Sequence, residues 1–266
     1  MEVENILLKD NVDKGILRLT LNNSKHQNTL SEAMMESLKK ELLDAATNES
    51  IRVVILAANG PIFCAGHDLK EITEARNNED LGHAYFENLF STCSEVMQLI
   101  VNNPKPIIAE VNGIATAAGC QLVASCDLAI ASDEAKFATP GVNIGLFCST
   151  PMVALSRNIS NKHAMEMLLT GDMIDAKKAT DIGLINNNVS SKNLMHETLT
   201  LAKKVASKSS MTLKVGKQSF YVQSSLELSE AYKYTSKVML DNILKDDAKE
   251  GIEAFIDKRD PKWKDK

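Results

Sequence analysis

Hydrophobic and polar positions follow two different periods along this chain, and the switches between them mark its elements. Residues 15–21 (GILRLTL) alternate apolar and polar with period two, and with residues 6–9 they read as a β-hairpin. Thr29-Leu30-Ser31-Glu32 has the spacing of a helix capping box, and behind it Met34, Leu38, Leu42 and Ala45 recur at helical intervals. An amphipathic helix is therefore expected over residues 30–47. Residues 53–56 (VVIL) form a short β-branched run bounded by charge and by Asn59-Gly60-Pro61, the pattern of a buried parallel strand. The cycle recurs as a helix over 78–101, a strand over 106–111, a short helix over 117–124 and a strand over 128–131. This alternation, continuing to about residue 150, predicts an α/β fold with largely parallel pairing. Helical patterns then dominate at 150–156, 162–169, 176–182, 191–207, 211–223, 226–244 and 249–258, with one short strand expected at 184–187.

Composition narrows the class. The chain has 266 residues, 44% hydrophobic and 24% charged, a globular balance with enough length for a sizeable core. Its net charge of −5 gives no global basic field of the kind that drives nucleic-acid binding. An anionic ligand would need a local cluster of Lys or Arg. The longest uncharged run, the twenty residues from Phe137 to Ser156, is broken by Pro140, Gly141, Gly145 and Pro151, so it is not expected to cross a membrane. It reads instead as a buried loop plus a short helix, hidden from solvent and worth searching for a pocket. Cys64, Cys93, Cys120, Cys126 and Cys148 include no CxxC pair and no zinc spacing. They are read as reduced, mostly buried thiols, and no metal is expected. With no secretory pattern at residues 1–10, a cytoplasmic protein is expected; a processed organelle protein would look the same.

Two turns rich in small residues each join a strand to a helix. In the first, Cys64-Ala65-Gly66-His67-Asp68-Leu69-Lys70, Gly66 frees the backbone and Asp68 is placed to cap a helix beginning at Leu69. The second, Asn112-Gly113-Ile114-Ala115-Thr116-Ala117-Ala118-Gly119-Cys120-Gln121, also enters a helix, whose N-terminus carries partial positive charge. Free amides from two such turns could hold one developing oxyanion. Tight strand-to-helix packing alone would also explain the small residues, and spacing does not choose between the two.

The blocks GHDLKE, VNGIATAAGCQLVASCDLAIAS, KFATPGVNIGL, MLLTGDMIDAKKATDIGLIN and EGIEAFIDKRDPKW, in this order, resemble the crotonase (enoyl-CoA hydratase/isomerase) superfamily, most closely its enoyl-CoA hydratase domain-containing branch. The resemblance implies a crotonase-like spiral of ββα units over residues 1–200. It implies a C-terminal helical region over 201–266 that makes a homotrimer or a dimer of trimers. It implies an acyl-CoA thioester as ligand, with coenzyme A part of the substrate and no separate cofactor. The thioester carbonyl would rest between the backbone N–H groups of His67 and Ala118, which stabilise its enolate. Ala65, Gly66, Asp68 and Leu69 would line the path of the CoA, Lys25 and Lys70 would lie near phosphate, and Phe255 and Lys258 would reach a neighbouring subunit's nucleotide. A doubly wound dinucleotide fold is the weaker alternative, since no G-x-G-x-x-G follows the first strand.

One departure matters for the chemistry. The hydratases that this chain resembles use two glutamates, and the matching positions hold Gln121 and Gly141. A third position, used for an acid by some relatives, holds Ser149. An amide exchanges no proton near neutral pH and glycine has no side chain, so ordinary hydration is expected to be weak or absent. His67 has a suitable intrinsic pKa, but its side chain is read as packing or touching CoA; Cys120 and Cys148 lack an adjacent base. Three functions follow: an enolate-stabilising enzyme, a non-catalytic acyl-CoA binding or regulatory protein, or a structural trimer.

Overall fold

The structure, a computed structural model, describes residues 5–266. The chain opens with β1 (Leu7–Asp13) and β2 (Ile16–Leu21), the expected antiparallel hairpin, then α1 (Glu32–Thr47). Next come β3 (Val53–Ala58), β4 (Ile62–Cys64) and α2 (Leu69–Ala75), then α3 (His83–Asn102). The pattern recurs as β5 (Ile107–Val111), β6 (Ile114–Thr116) and α4 (Ala118–Ser125), and again as β7 (Leu128–Ser132) and β8 (Lys136–Ala138) followed by a 3-10 turn at Pro140–Ile144. After α5 (Ser149–Asn158) and α6 (Asn161–Thr170) come β9 (Ile174–Asp175), α7 (Ala176–Asp181) and β10 (Asn187–Val189). Four helices finish the chain: α8 (Leu194–Ala206), α9 (Ser210–Gln223), α10 (Leu228–Ile243) and α11 (Asp246–Ile256).

The strands form two sheets. One has the order β1-β2-β3-β5-β7-β10 and is parallel from β2 onward; the other, β4-β6-β8-β9, is built from very short strands. The strand pairs β3–β4, β5–β6 and β7–β8 thus each give their first strand to the large sheet and their second to the small one, whereas β1 and β2 both join the large sheet. The central strands of the large sheet, β2, β3, β5 and β7, are buried on both faces, as the interior of a parallel sheet is. Val54 and Leu56 face the main core with Met34, Leu38 and Leu42 of α1, while Val53, Ile55 and Ala57 face α8 through Ala202. Burying each such side chain contributes about 1.5–3 kcal/mol.

Several sequence expectations need correcting. The cap of α1 is Ser31, whose Oγ accepts from the Met34 amide, and not Thr29, whose hydroxyl donates to Asp68 Oδ2 (3.3 Å). The third helix begins at His83, not residue 78, because Asp80 accepts from the amides of Gly82 and Ala84 and turns the chain there. Leu184 and Ile185 are apolar because they are buried in the turn after α7, where both amides donate to Ala179 O; the strand follows at Asn187–Val189. The stretch 137–156 is not hidden throughout: Phe137–Thr139, Gly141, Cys148, Pro151 and Leu155 are buried, but Ile144, Leu146 and Phe147 are exposed.

Candidate active site

The first small-residue turn leaves β4 at Cys64 and is held on three sides. The Ala65 amide donates to Gln27 O (3.2 Å), the Leu30 amide donates to Gly66 O (2.8 Å), and the Thr116 hydroxyl donates to Ala65 O (3.1 Å). Asp68 caps α2 by accepting from the Lys70 amide (2.8 Å). Gly66 lies at φ +94°, and a Cβ there would stand 2.9 Å from Ala117 Cβ and 3.4 Å from Ala118 N. Only glycine permits this approach, and it sets the turn that carries His67 against the start of α4.

The second turn is pinned from the other side. The Ala117 amide donates to Ala138 O (3.0 Å), and Ala117 takes φ +51°, ψ −120°, a conformation that costs a non-glycine residue of order 1–3 kcal/mol. That kink starts α4 at Ala118. Gly119 lets the helix lie on β4, since a Cβ there would be 2.1 Å from Cys64 O. Among the described residues, neither the His67 nor the Ala118 amide donates to a protein acceptor. Two unpaired amides on touching turns, one of them at a helix N-terminus, suit an oxygen that gains negative charge.

The side chains around these amides are poor proton carriers. Gln121, one turn into α4, is 4% exposed, and its Oε1 has no partner among the described residues. Gly141 is roofed by its own loop: a Cβ there would lie 2.6 Å from Leu146 O and 2.8 Å from Cys148 Sγ, and the Leu146 amide donates to Gly141 O (2.9 Å). Burial pushes the thiols of Cys64 and Cys120 up to about 12 and raises that of Cys148, so none is a ready thiolate. The His67 ring packs edge-on against Phe90 and its Nδ1 lies 3.3 Å from Leu30 O; burial holds its pKa below the usual imidazole value. Its Nε2 is enclosed and without a partner among the described residues. Ser149, the first residue of α5, turns its hydroxyl back to Phe147 O (3.3 Å). No group of three or more His, Cys, Asp or Glu among the described residues could hold a metal.

Comparison with known proteins decides the family. A match to the family described as enoyl-CoA hydratase/isomerase runs over residues 11–266. The chain belongs to that family. It is 51% identical over 249 residues to the mouse enoyl-CoA hydratase domain-containing protein 3, mitochondrial, covering 94% of this chain and 81% of that protein. It is 32% identical over 257 residues to a probable enoyl-CoA hydratase of Bacillus subtilis, covering 95% of this chain and 96% of that one. Among solved structures, the enoyl-CoA hydratase of Mycobacterium smegmatis superposes with TM-score 0.93 at 46% identity, covering 98% of this chain and 99% of that one. Human enoyl-CoA hydratase domain-containing protein 3 does so with TM-score 0.92 at 48% identity, covering 97% and 100%.

As a crotonase-fold protein, the chain brings together Ala65, Gly66, His67 and Asp68 of the first turn and Ala118 and Gln121 of the second. Lys25 lies in the surface turn Ser24–His26, two residues before the Gln27 carbonyl that anchors Ala65, and Lys70 is exposed on the first turn of α2 beside Leu69. Phe255, 86% exposed, belongs to α11, which packs on α10, and Lys258 follows it. A surface depression of about 370 Å³ lies elsewhere, against α8, and two of the cations that line it are paired: Arg52 with Asp265 (2.8 Å) and Lys203 with Asp13 (2.7 Å). Asp127 is a half-buried structural acid: it accepts from Lys217 Nζ (2.6 Å), the Ile107 amide (2.7 Å) and the Tyr221 hydroxyl (3.1 Å), tying α9 to the core. Two contributors escaped the sequence reading. Thr116 and Thr139 look like ordinary strand and loop residues, and only the fold shows that one holds the first turn and the other lies enclosed beside the second.

Proposed function

We propose that this member of the enoyl-CoA hydratase/isomerase family binds an acyl-CoA thioester and stabilises its enolate through the His67 and Ala118 amides. The observation that carries this reading is the contact of the two turns at Gly66, with both amides left without a protein acceptor. Each such donor is worth about 3–4 kcal/mol to a developing oxyanion. Ala65, Asp68 and Leu69 would border the CoA, with Lys25 and Lys70 as point charges for phosphate. Phe255 and Lys258 would complete a neighbouring subunit's site in a homotrimer or a dimer of trimers.

Ordinary hydration is impaired on this reading. Water addition to an enoyl thioester needs a base and an acid, a contribution of typically 10²–10⁴-fold, and neither Gln121 nor Gly141 supplies one. The roof over Gly141 favours the second reading, a protein that holds acyl-CoA without turning it over, because the space beside the missing glutamate is filled by residues 146–148. Chemistry that needs only an oxyanion hole, such as decarboxylation of a malonyl-type thioester, belongs to the first reading. For the compartment, five buried free thiols suit a reducing interior, cytoplasmic or organellar, and the word mitochondrial in the relatives' names favours the organelle.

Calorimetry with butyryl-CoA and a hydration assay on crotonyl-CoA test both halves. Binding is expected, with kcat for hydration about 100-fold or more below that of a relative bearing both glutamates. Failure of every acyl-CoA to bind removes the proposal, and a kcat within about tenfold of such a relative removes the claim of impaired hydration.

A further inference from the structure

The depression against α8 lies at the opposite end of the large sheet from the proposed thioester site. It sits where β2 and β3 begin, at the paired residues Ile16 and Val53, whereas the His67 and Ala118 turns follow β4 and β6, past the far ends of β3 and β5. Its volume of about 370 Å³ falls in the range of small-molecule sites. Lys14, Arg52 and Lys203 line it, and no acid does. In a chain of net charge −5, this is the local cluster of cations that an anionic ligand needs. The three cations differ. Arg52 is committed to the fold: its guanidinium donates to Ala206 O (2.7 Å), to Lys208 O and to Asp265 Oδ2 (2.8 Å), so it forms a fixed wall. Lys203 meets Asp13, but both side chains are exposed, and such a pair in water is weak. Lys14 gives its backbone amide to Asp13 (2.6 Å), and its Nζ has no partner among the described residues. Beside these charges stand the apolar Ile16 and Ala206 and the indole of Trp263. That ring is held in one orientation: its Nε1 donates to Ser207 O (2.8 Å), and its far edge lies 3.2 Å from where a Gly251 Cβ would stand.

We infer that this depression binds a mononucleotide, with the base stacked on Trp263 and the phosphate between the ammonium groups of Lys14 and Lys203. Lysine is a compact point charge suited to phosphate, and a phosphate dianion gives Lys14 the counter-charge it lacks. It also offers Lys203 more than the single carboxylate of Asp13 does. A fixed indole is a platform for any base, because every base has a π-face. The indole separates a nucleotide from free phosphate, which would use the cations alone. Nothing at this end of the sheet offers a base, an acid or a nucleophile within the lining beyond the lysines, so the site holds its ligand without transforming it. The inference stands apart from the acyl-CoA reading above, since the two sites share no residue.

Trp263 is the single tryptophan, so its fluorescence reports on this site directly. Titrating the full chain with adenosine 5′-monophosphate is expected to quench that fluorescence saturably, and less tightly as salt rises. By calorimetry, the nucleotide should bind about tenfold or more tighter than inorganic phosphate, the equivalent of one stacked base. Lys14→Ala removes an exposed ammonium that holds nothing in the protein, so it should weaken nucleotide binding about threefold to fivefold and leave Tm unchanged. Lys203→Ala should weaken binding by a similar factor. Saturating butyryl-CoA should leave the titration as it was. No saturable quenching at millimolar nucleotide, phosphate binding as tightly as the nucleotide, or an affinity untouched by both lysine substitutions overturns the inference. Competition by butyryl-CoA overturns it as well, because the nucleotide would then occupy the thioester site, and the acyl-CoA reading would stand.

Discussion

Replacing Gly141 by alanine puts a methyl carbon 2.6 Å from Leu146 O and 2.8 Å from Cys148 Sγ, both inside the distance that real Cβ atoms keep. The thiol could rotate away, but the Leu146 carbonyl is backbone, in a loop closed by the hydrogen bond from the Leu146 amide to Gly141 O. Relief therefore means moving the loop. Overpacking of this kind costs about 1–3 kcal/mol, and losing the loop hydrogen bond adds about 1 kcal/mol. We expect Gly141→Ala to lose about 2–4 kcal/mol, a fall in Tm of roughly 5–15 °C for a chain of this size. Urea or thermal unfolding measures it. Gly216 is the control: it lies within α9 with nothing within 4 Å of an added Cβ, so Gly216→Ala should stabilise by about 0.5–1 kcal/mol. A Gly141→Ala protein within about 0.5 kcal/mol of the original would refute the roof. The same geometry means that Gln121→Glu combined with Gly141→Glu should not restore hydration of crotonyl-CoA, since the second carboxylate would have to displace residues 146–148.

Lys217→Met should destabilise the chain by about 2–4 kcal/mol in urea melts, because it takes the cation from the half-buried Asp127 carboxylate and removes the donor to Ile100 O and Lys105 O. Glu250 accepts from Arg259 and from the Lys262 amide, which pull its carboxyl down to about 2. Its folded pKa is depressed, so its contribution is present above the ordinary carboxylate value near 4.5 and is lost as pH falls from there toward 2. The single tryptophan, Trp263, packs beside Gly251 and reports this loss by fluorescence, and Glu250→Gln should remove the transition. A disulfide-exchange reagent should find no fast thiol in the native protein at neutral pH and five after denaturation. An NMR titration should show His67 gaining its proton below pH 6.5, the reverse of what a neighbouring carboxylate would cause.

The long elements were legible because their signals are long. α1 carries four apolar residues at helical spacing, and the β1–β2 hairpin alternates cleanly. The small sheet was missed because strands of two or three residues, such as Ile62–Cys64, are too short to show a period, and their pairing is decided by contacts distant in sequence. The cap of α1 was misplaced because Thr29 and Ser31 are chemically alike, and only the fold reveals Asp68 waiting for Thr29. At the candidate site, the small residues of the two turns were visible, but not that they touch. The exposure of Ile144, Leu146 and Phe147 contradicts their apolar character, and no pattern along the chain announces it. The roof over Gly141 was invisible for the same reason: a glycine in sequence shows an absent side chain, not what occupies the space.

Gly113 and Gly119 show how the two turns are registered. A Cβ at Gly113 would be 2.0 Å from Pro61 O, and one at Gly119 would be 2.1 Å from Cys64 O. Successive ββα units therefore meet peptide plane against peptide plane, with no side chain acting as a spacer. The two turns that carry the His67 and Ala118 amides are thus spaced by backbone contacts at glycines rather than by interlocking side chains. On such a frame, side chains near the turns can change while the proposed anion-holding geometry stays in place.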